Sequence, residues 1–143
     1  MKIIIGSDHA GFDLKEECRT FLEEGEEHRV TDVGVFSRES SDYPDIAHRV
    51  AGAVAAGEYD RGVLICGSGI GMSIAANRHR GVRAALCHDS YLARMSRLHN
   101  DANILVMGGR ILGIGLALEI LNLFLSTGFE GGRHQRRLDR IDP

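Results

Sequence analysis

Short apolar runs alternate with amphipathic stretches along the whole chain, and this alternation restricts the fold more than any other feature. Ile3–Ile5 reads as a strand ending at Gly6-Ser7-Asp8. Leu14, Cys18, Phe21 and Leu22 then recur at the spacing of one helix face. His28–Val33 predicts a second strand and Gly34–Asp42 a polar loop. Pro44 suits the first turn of a helix whose apolar face carries Ile46, Ala47, Val50 and Val54. Gly62–Cys66 is a continuous buried-strand run, followed by a glycine-rich loop and a short helix through Asn77. Val82–Cys87 and Ile104–Met107 are further strands, separated by a helix over Ser90–His99. Gly113–Ser126 is a helix with apolar residues on nearly every face. Strands that alternate with helices imply an α/β fold: five parallel strands, right-handed crossovers and helices on both faces. In such sheets ligands gather at the carboxyl ends of the strands. Those ends carry Asp8-His9, Cys66-Gly67-Ser68, Cys87-His88-Asp89 and Gly108-Gly109-Arg110.

The chain of 143 residues is the size of one ordinary domain, so residues 1–143 are expected to form a single unit. Its 17 Lys+Arg against 20 Asp+Glu give a net charge of −3, which argues against nucleic acid or an anionic membrane as partner. The charge is uneven, however, because Arg133, Arg136, Arg137 and Arg140 crowd the C-terminus. Ile111–Leu125, the longest apolar stretch, is broken by Gly113, Gly115, Glu119 and Asn122 and is too short to span a bilayer. The start of the chain reads as a strand, not a signal peptide. An odd set of cysteines, Cys18, Cys66 and Cys87, suits reduced thiols, and the expected location is the cytoplasm. The greasy helix over Gly113–Ser126 has two explanations, cover by a partner subunit or burial within the chain.

The loop Gly67-Ser68-Gly69-Ile70-Gly71 is the strongest chemical feature. Its glycines allow a tight turn that points several N–H groups at one anionic oxygen, at the start of a helix. It is not a dinucleotide fingerprint, since the third glycine would fall at Met72, and no lysine follows as in a P-loop. Nor is it a hydrolase elbow, because Ser68 lies directly between Gly67 and Gly69. The bland alternative is a plain strand–helix turn. Cys66, the last residue of its strand, stands where a ligand would lie, and a helix start favours thiolate over thiol. A thiolate there could abstract a carbon-bound proton while the amides hold an enediolate oxygen. Buried cysteines are more often inert, which is the expectation for Cys18 and Cys87. His9 and His99 could each handle a proton near neutral pH, whereas His28, His48 and His79 have surface-like contexts. Adjacent residues point apart, so Cys87-His88-Asp89 is not a ligand set, and no metal site is expected. Arg133 and Arg137, one helical turn apart, could grip a phosphate, although a solvated basic tail is the commoner use of such a run. RNA fits less well, as no aromatic residues interleave with the arginines.

Taken together, Ser7-Asp8-His9-Ala10-Gly11-Phe12, Ser41-Asp42-Tyr43-Pro44-Asp45, Cys66–Gly71, His99-Asn100-Asp101-Ala102-Asn103 and Glu130–Arg137 resemble the ribose-5-phosphate isomerase B family. Its wider membership includes galactose-6-phosphate and allose-6-phosphate isomerases. The resemblance runs from Met1 to about Leu138, with the motifs in the family's order. It implies a Rossmann-like three-layer sandwich, a homodimer or dimer of dimers, and residues 127–143 as an arm packing on a partner subunit. It also implies an aldose–ketose isomerase of the pentose phosphate pathway that needs no cofactor. By the same resemblance Cys66 is the base, and His99, from the neighbouring subunit, assists ring opening and proton donation. Asp8 and His9 would hold the sugar, Gly67, Ser68, Gly69, Ile70 and Gly71 the enediolate, and Asn100 the hydroxyls. Arg133 and Arg137, helped by Arg110, would hold the phosphate. Ser68 stands where many members have Thr, which keeps the catalytic hydroxyl and drops a methyl. A six-carbon 6-phosphate isomerase and a non-catalytic phosphate- or nucleotide-binding module are the competing readings.

Overall fold

The computed structural model describes all residues, Met1–Pro143. Its elements are β1 (Lys2–Ser7), α1 (Phe12–Glu24), β2 (Arg29–Asp32), α2 (Tyr43–Ala55), β3 (Arg61–Cys66), α3 (Ile70–Ala76), β4 (Ala84–Leu86), α4 (Ser90–Asn100), β5 (Ile104–Gly108), α5 (Ile114–Ser126) and α6 (Gln135–Leu138). Short 3₁₀ turns at His9–Gly11 and Gly132–His134, and the brief α6, are additions to the expected elements. The strands form one parallel sheet in the order β2-β1-β3-β5-β4. From β1 the chain steps outward to β2 and then returns to β3 on the other side. The direction of winding therefore reverses between β1 and β3, and a crevice opens above their carboxyl ends.

Strand periodicity divides the core into two layers. Ile3, Ile5, Val63, Ile65, Leu105 and Met107 meet Leu14, Cys18 and Leu22 of α1, Ala93 of α4, and Ala117, Ile120, Leu121 and Phe124 of α5. Ile4, Leu64, Cys66, Ile104 and Val106 point the other way, against Ala47, Val50, Ala51 and Val54 of α2 and Met72, Ala75 and Ala76 of α3. This is the three-layer α/β sandwich expected, and it fixes which face the Cys66 side chain takes. Phe21, expected in the core, is half exposed, because the stripe through Leu14, Cys18 and Leu22 already covers the sheet.

Helix α5 is buried within the chain along one side and open along the other. Ala117, Ile120, Leu121 and Phe124 are fully buried at i, i+3, i+4 and i+7, each large side chain contributing about 1.5–3 kcal/mol of burial free energy. Ile114 and Leu116 on the other side stay 50% and 39% exposed, and Ile111 just before the helix 55%. No helix is long and apolar enough to cross a membrane.

Lys15 of α1 is fully buried, unusual for a lysine. It pairs with Asp32 and Glu16 and lies 5.4 Å from the ring centroids of both Phe12 and Phe36. Asp32 in turn accepts a hydrogen bond from Gly34 N at 2.8 Å. The loop after β2 is thereby tied to α1, and that loop delivers Ser41 to the crevice.

Candidate active site

Three strand ends meet in the crevice and lock to one another through backbone. Asp8 N donates to Ile65 O, Gly109 N to Cys66 O at 2.8 Å, and Arg110 N to Gly67 O at 3.0 Å. A β-carbon on Gly11 would come within 2.3 Å of Ile65 O, so a side chain there would push the 3₁₀ turn after β1 away from the end of β3. The resulting cleft holds about 410 Å³, enough for a small phosphorylated ligand. Its walls are Asp8, His9, Ala10, Tyr43, Cys66, Gly67, Ser68, Gly71, Arg110 and Ile111.

Asp8 is buried, and its Oδ1 accepts from Ala10 N at 2.9 Å and Gly11 N at 3.0 Å, starting the 3₁₀ turn. His9 is held by a reciprocal pair: its N donates to Ser41 Oγ at 3.1 Å, and its Nδ1 accepts from Ser41 N at 3.2 Å. Because Nδ1 accepts, the proton of the neutral ring sits on Nε2, which makes that atom a donor. Cys66 ends β3 at 5% exposure, and its sulfur accepts a hydrogen bond from Gly69 N at 3.2 Å. Gly69 sits at φ +82°, the left-handed turn that aims its N–H back at the sulfur. Ser68 Oγ accepts from Ile70 N at 3.3 Å and so braces the first residue of α3.

All three cysteines are buried, but only Cys66 lines the cleft. Burial pushes the Cys18 thiol up to about 12, with Glu17 adding to it, and the Cys87 thiol up to about 11. Both pack in the core away from the cleft. The motif Cys87-His88-Asp89 disperses: His88 Nε2 contacts Ser68 O at 3.2 Å, while Asp89 Oδ1 caps α4 by accepting from Leu92 N at 2.7 Å.

Of the residues singled out in the sequence, Asp8, His9, Cys66, Gly67, Ser68, Gly71 and Arg110 converge on the cleft. Gly69 and Ile70 do not line it. Gly69 lies beneath, where a β-carbon would meet Leu86 at 2.4 Å, and Ile70 turns outward. His99, Asn100, Arg133 and Arg137 gather elsewhere. Helix α4 runs back against the strands, so its last turn lies beside the start of β5, at the opposite end of the sheet from Cys66. There the rings of His99 and His134 stack with centroids 4.3 Å apart. Glu130 Oε2 stands 3.7 Å from His99 Nε2 and 3.4 Å from His134 Nε2. These three side chains bring ligand atoms within 4.8 Å of one another. The rings are only 12° from parallel, so their in-plane lone pairs run side by side instead of meeting at one point, a poor geometry for chelation. The arm crosses its own α4, with Glu130 N donating to Leu98 O and Asp142 Oδ2 accepting from Gly81 N at 2.9 Å. Arg133 and Arg137 are exposed and form no salt bridge within the chain.

Sequence reasoning gave no role to Tyr43, Ser41 or His134. Tyr43 walls the cleft by resting against Gly71, where a β-carbon would lie 2.6 Å from the ring. The motif Ser41–Asp45 held the signal, but nothing in it told which side chain faces the site. His48 and His79, expected to be solvated, contact each other at 2.8 Å between ring nitrogens. His28 is half buried, and its Nδ1 has no partner.

A parallel sheet that presents a thiol, a carboxylate, an imidazole and a glycine-rich amide cradle at its switch point defines an acid–base enzyme acting on a small anionic substrate. Residues 3–141 match the model of the Ribose/Galactose Isomerase family, and the chain belongs to that family. It is an aldose–ketose isomerase. Ribose-5-phosphate isomerase B of Escherichia coli strain K12 is 50% identical over 141 residues, covering 98% of this chain and 93% of that protein. Among solved structures, ribose-5-phosphate isomerase B of Clostridium thermocellum superposes with a TM-score of 0.97 at 54% identity, over 99% of this chain and 95% of the other. The Mycoplasma genitalium enzyme, solved with bound ribulose-5-phosphate, gives 0.93 at 40% identity over 98% and 93%.

Proposed function

We propose that this chain interconverts D-ribose 5-phosphate and D-ribulose 5-phosphate through a cis-enediolate, a step of the pentose phosphate pathway in the cytoplasm. The observation that carries the reading is the Gly69 N–H to Cys66 Sγ hydrogen bond, which sets the Cys66 sulfur against the glycine-rich loop at the cleft. The Cys66 thiolate removes the C2 proton of the open-chain aldose. The C2–H electrons become the C1–C2 double bond, and the carbonyl electrons move onto O1. Amides of the loop after β3 and the Nε2–H of His9 hold the charge as it develops. The Cys66 thiol then returns the proton to C1, while O1 gains and O2 loses a proton, completing the ketose.

The remaining groups come from a second copy. Cys66 and His99 occupy opposite ends of one sheet, so no single chain can close both on one sugar. The open apolar surface of Ile111, Ile114 and Leu116 begins at the cleft rim and supports pairing there, as a homodimer or a dimer of dimers. In the pair, the partner's His99 gives a proton to the ring oxygen during opening, and the partner's Asn100 holds hydroxyls. The partner's Arg133 and Arg137 grip the phosphate together with Arg110.

The deciding experiment is an isomerase assay with five- and six-carbon sugar phosphates, run with and without EDTA. Turnover of ribose 5-phosphate that survives chelation is the expected result. A preference for a six-carbon 6-phosphate would move the chain to the other branch of the family. No turnover of either, with nucleotide retained through purification, would make it a binding module.

A further inference from the structure

The cluster of His99, Glu130 and His134 contains more than the acid needs, and its geometry divides the labour. One carboxylate oxygen faces both Nε2 atoms, and the two rings stack almost parallel. Two imidazolium rings in such contact repel, so the cluster holds one proton comfortably and a second only at a cost. Burial lowers the proton affinity of His134, and the neighbouring His99, Arg133 and Arg137 lower it further. Its Nε2 is buried without a hydrogen-bond partner, and its side chain is 6% exposed against 39% for His99. His134 is therefore the ring disposed to stay neutral, and His99 is the one open to solvent.

The backbone shows how the arrangement is built. Glu130 is anchored to the last turn of α4 through its N–H on Leu98 O. Gly131 at φ +69° and Gly132 at φ +56° then turn the chain so that His134 comes back over His99. Only residues free to take left-handed conformations make two such steps in succession. The charged groups facing the pair are Glu130, which favours the imidazolium, and Arg133 and Arg137, which oppose it. On α4 itself, Arg97 and Asp101 are engaged with each other.

We infer that Glu130 is a positioning residue that holds the catalytic proton on His99, with His134 as the neutral ring that sets the plane of His99. The inference rests on the reading of His99 as the acid. The carboxylate stabilises the imidazolium before the proton is given up, and the stack restrains rotation of His99 away from the sugar.

The test pairs the pH dependence of kcat with NMR titration of His99 in the assembled protein, for E130Q, E130D, H134F and H134A. E130Q should move both the His99 titration and the basic limb of kcat to lower pH by about one unit, as expected for loss of an adjacent opposite charge. E130D should recover part of that shift, and H134F, which keeps the stack, should retain more kcat than H134A. A His99 titration unmoved in E130Q overturns the inference, as does equal loss of kcat in H134F and H134A. A titration that moves while the kcat profile stays put would instead remove His99 from the chemistry, and with it the reading on which the inference rests.

Discussion

Cys66 differs from its two fellow cysteines in that its sulfur accepts a backbone N–H and faces a cleft, whereas the Cys87 thiol donates to Ala85 O. Cys18 and Cys87 sit among aliphatic side chains that keep them protonated, whereas the Cys66 sulfur meets an N–H donor at 3.2 Å and lines the substrate space. Cys66→Ala should abolish exchange of the C2 proton with solvent while calorimetry still detects binding of ribose 5-phosphate. On the proposed mechanism the substitution removes the base and leaves the phosphate anchor. A loss of about 10²–10⁴ in kcat is the ordinary contribution of a general base, so retention of a tenth of the activity would eliminate Cys66 from that role. Cys66→Ser should be nearly as damaging, since a hydroxyl is a far weaker source of base near neutral pH. A thiol-directed reagent at pH 7 should label Cys66 alone, and labelling should fall when substrate is present. Mass spectrometry of the digested protein reads this directly, and modification of Cys18 or Cys87 at a comparable rate would contradict their burial.

Among the elements, the glycine loop was legible from sequence because spacing alone announces it, and the strands were legible from their uninterrupted apolar runs. What the loop's members do was less so. The resemblance assigns Gly69 to the loop that holds the enediolate; in the structure its N–H is aimed at the Cys66 sulfur, and a β-carbon there would run into Leu86 and Met107. Gly69→Ala should destabilise the fold by about 3 kcal/mol in urea titration, from a left-handed alanine together with contacts of 2.4 Å to Leu86 and 3.1 Å to Met107. Activity should fall further than stability requires, because the sulfur loses its aligned donor. The clasp between His9 and Ser41 could not be read in advance, since 32 positions separate partners joined only by the course of the loop after β2. Helix α5 was ambiguous for a related reason: its composition announces burial, but only packing tells which side faces the sheet.

For the whole molecule, the direction of α4 is what the proposed assembly rests on. The family resemblance named His99, Asn100, Arg133 and Arg137 as site residues, but no spacing in the sequence tells that they lie at the wrong end of their own sheet. If they serve a partner, Cys66→Ala and His99→Asn should complement when mixed under conditions of subunit exchange. Each hybrid dimer then contains one site with both defects and one with neither, so about half the parent activity should return per hybrid dimer. Hybrids that form, as native mass spectrometry would establish, yet remain inactive would show that the two residues serve the same chain's site. Arg137→Ala should raise KM for the phosphorylated sugar strongly and affect residual turnover of free ribose much less, which steady-state kinetics on both sugars will separate.

A helix running antiparallel to its strands is a modest structural feature, yet under the proposed pairing it sets the order of the reaction in protein. On the proposed assembly, a chain whose proton acceptor and phosphate grip face opposite directions is silent alone, however well folded. Under progressive dilution, specific activity should decline along the dissociation curve of the assembly while circular dichroism stays constant, and excess substrate, by bridging two copies, should hold the assembly together at concentrations where the free protein comes apart.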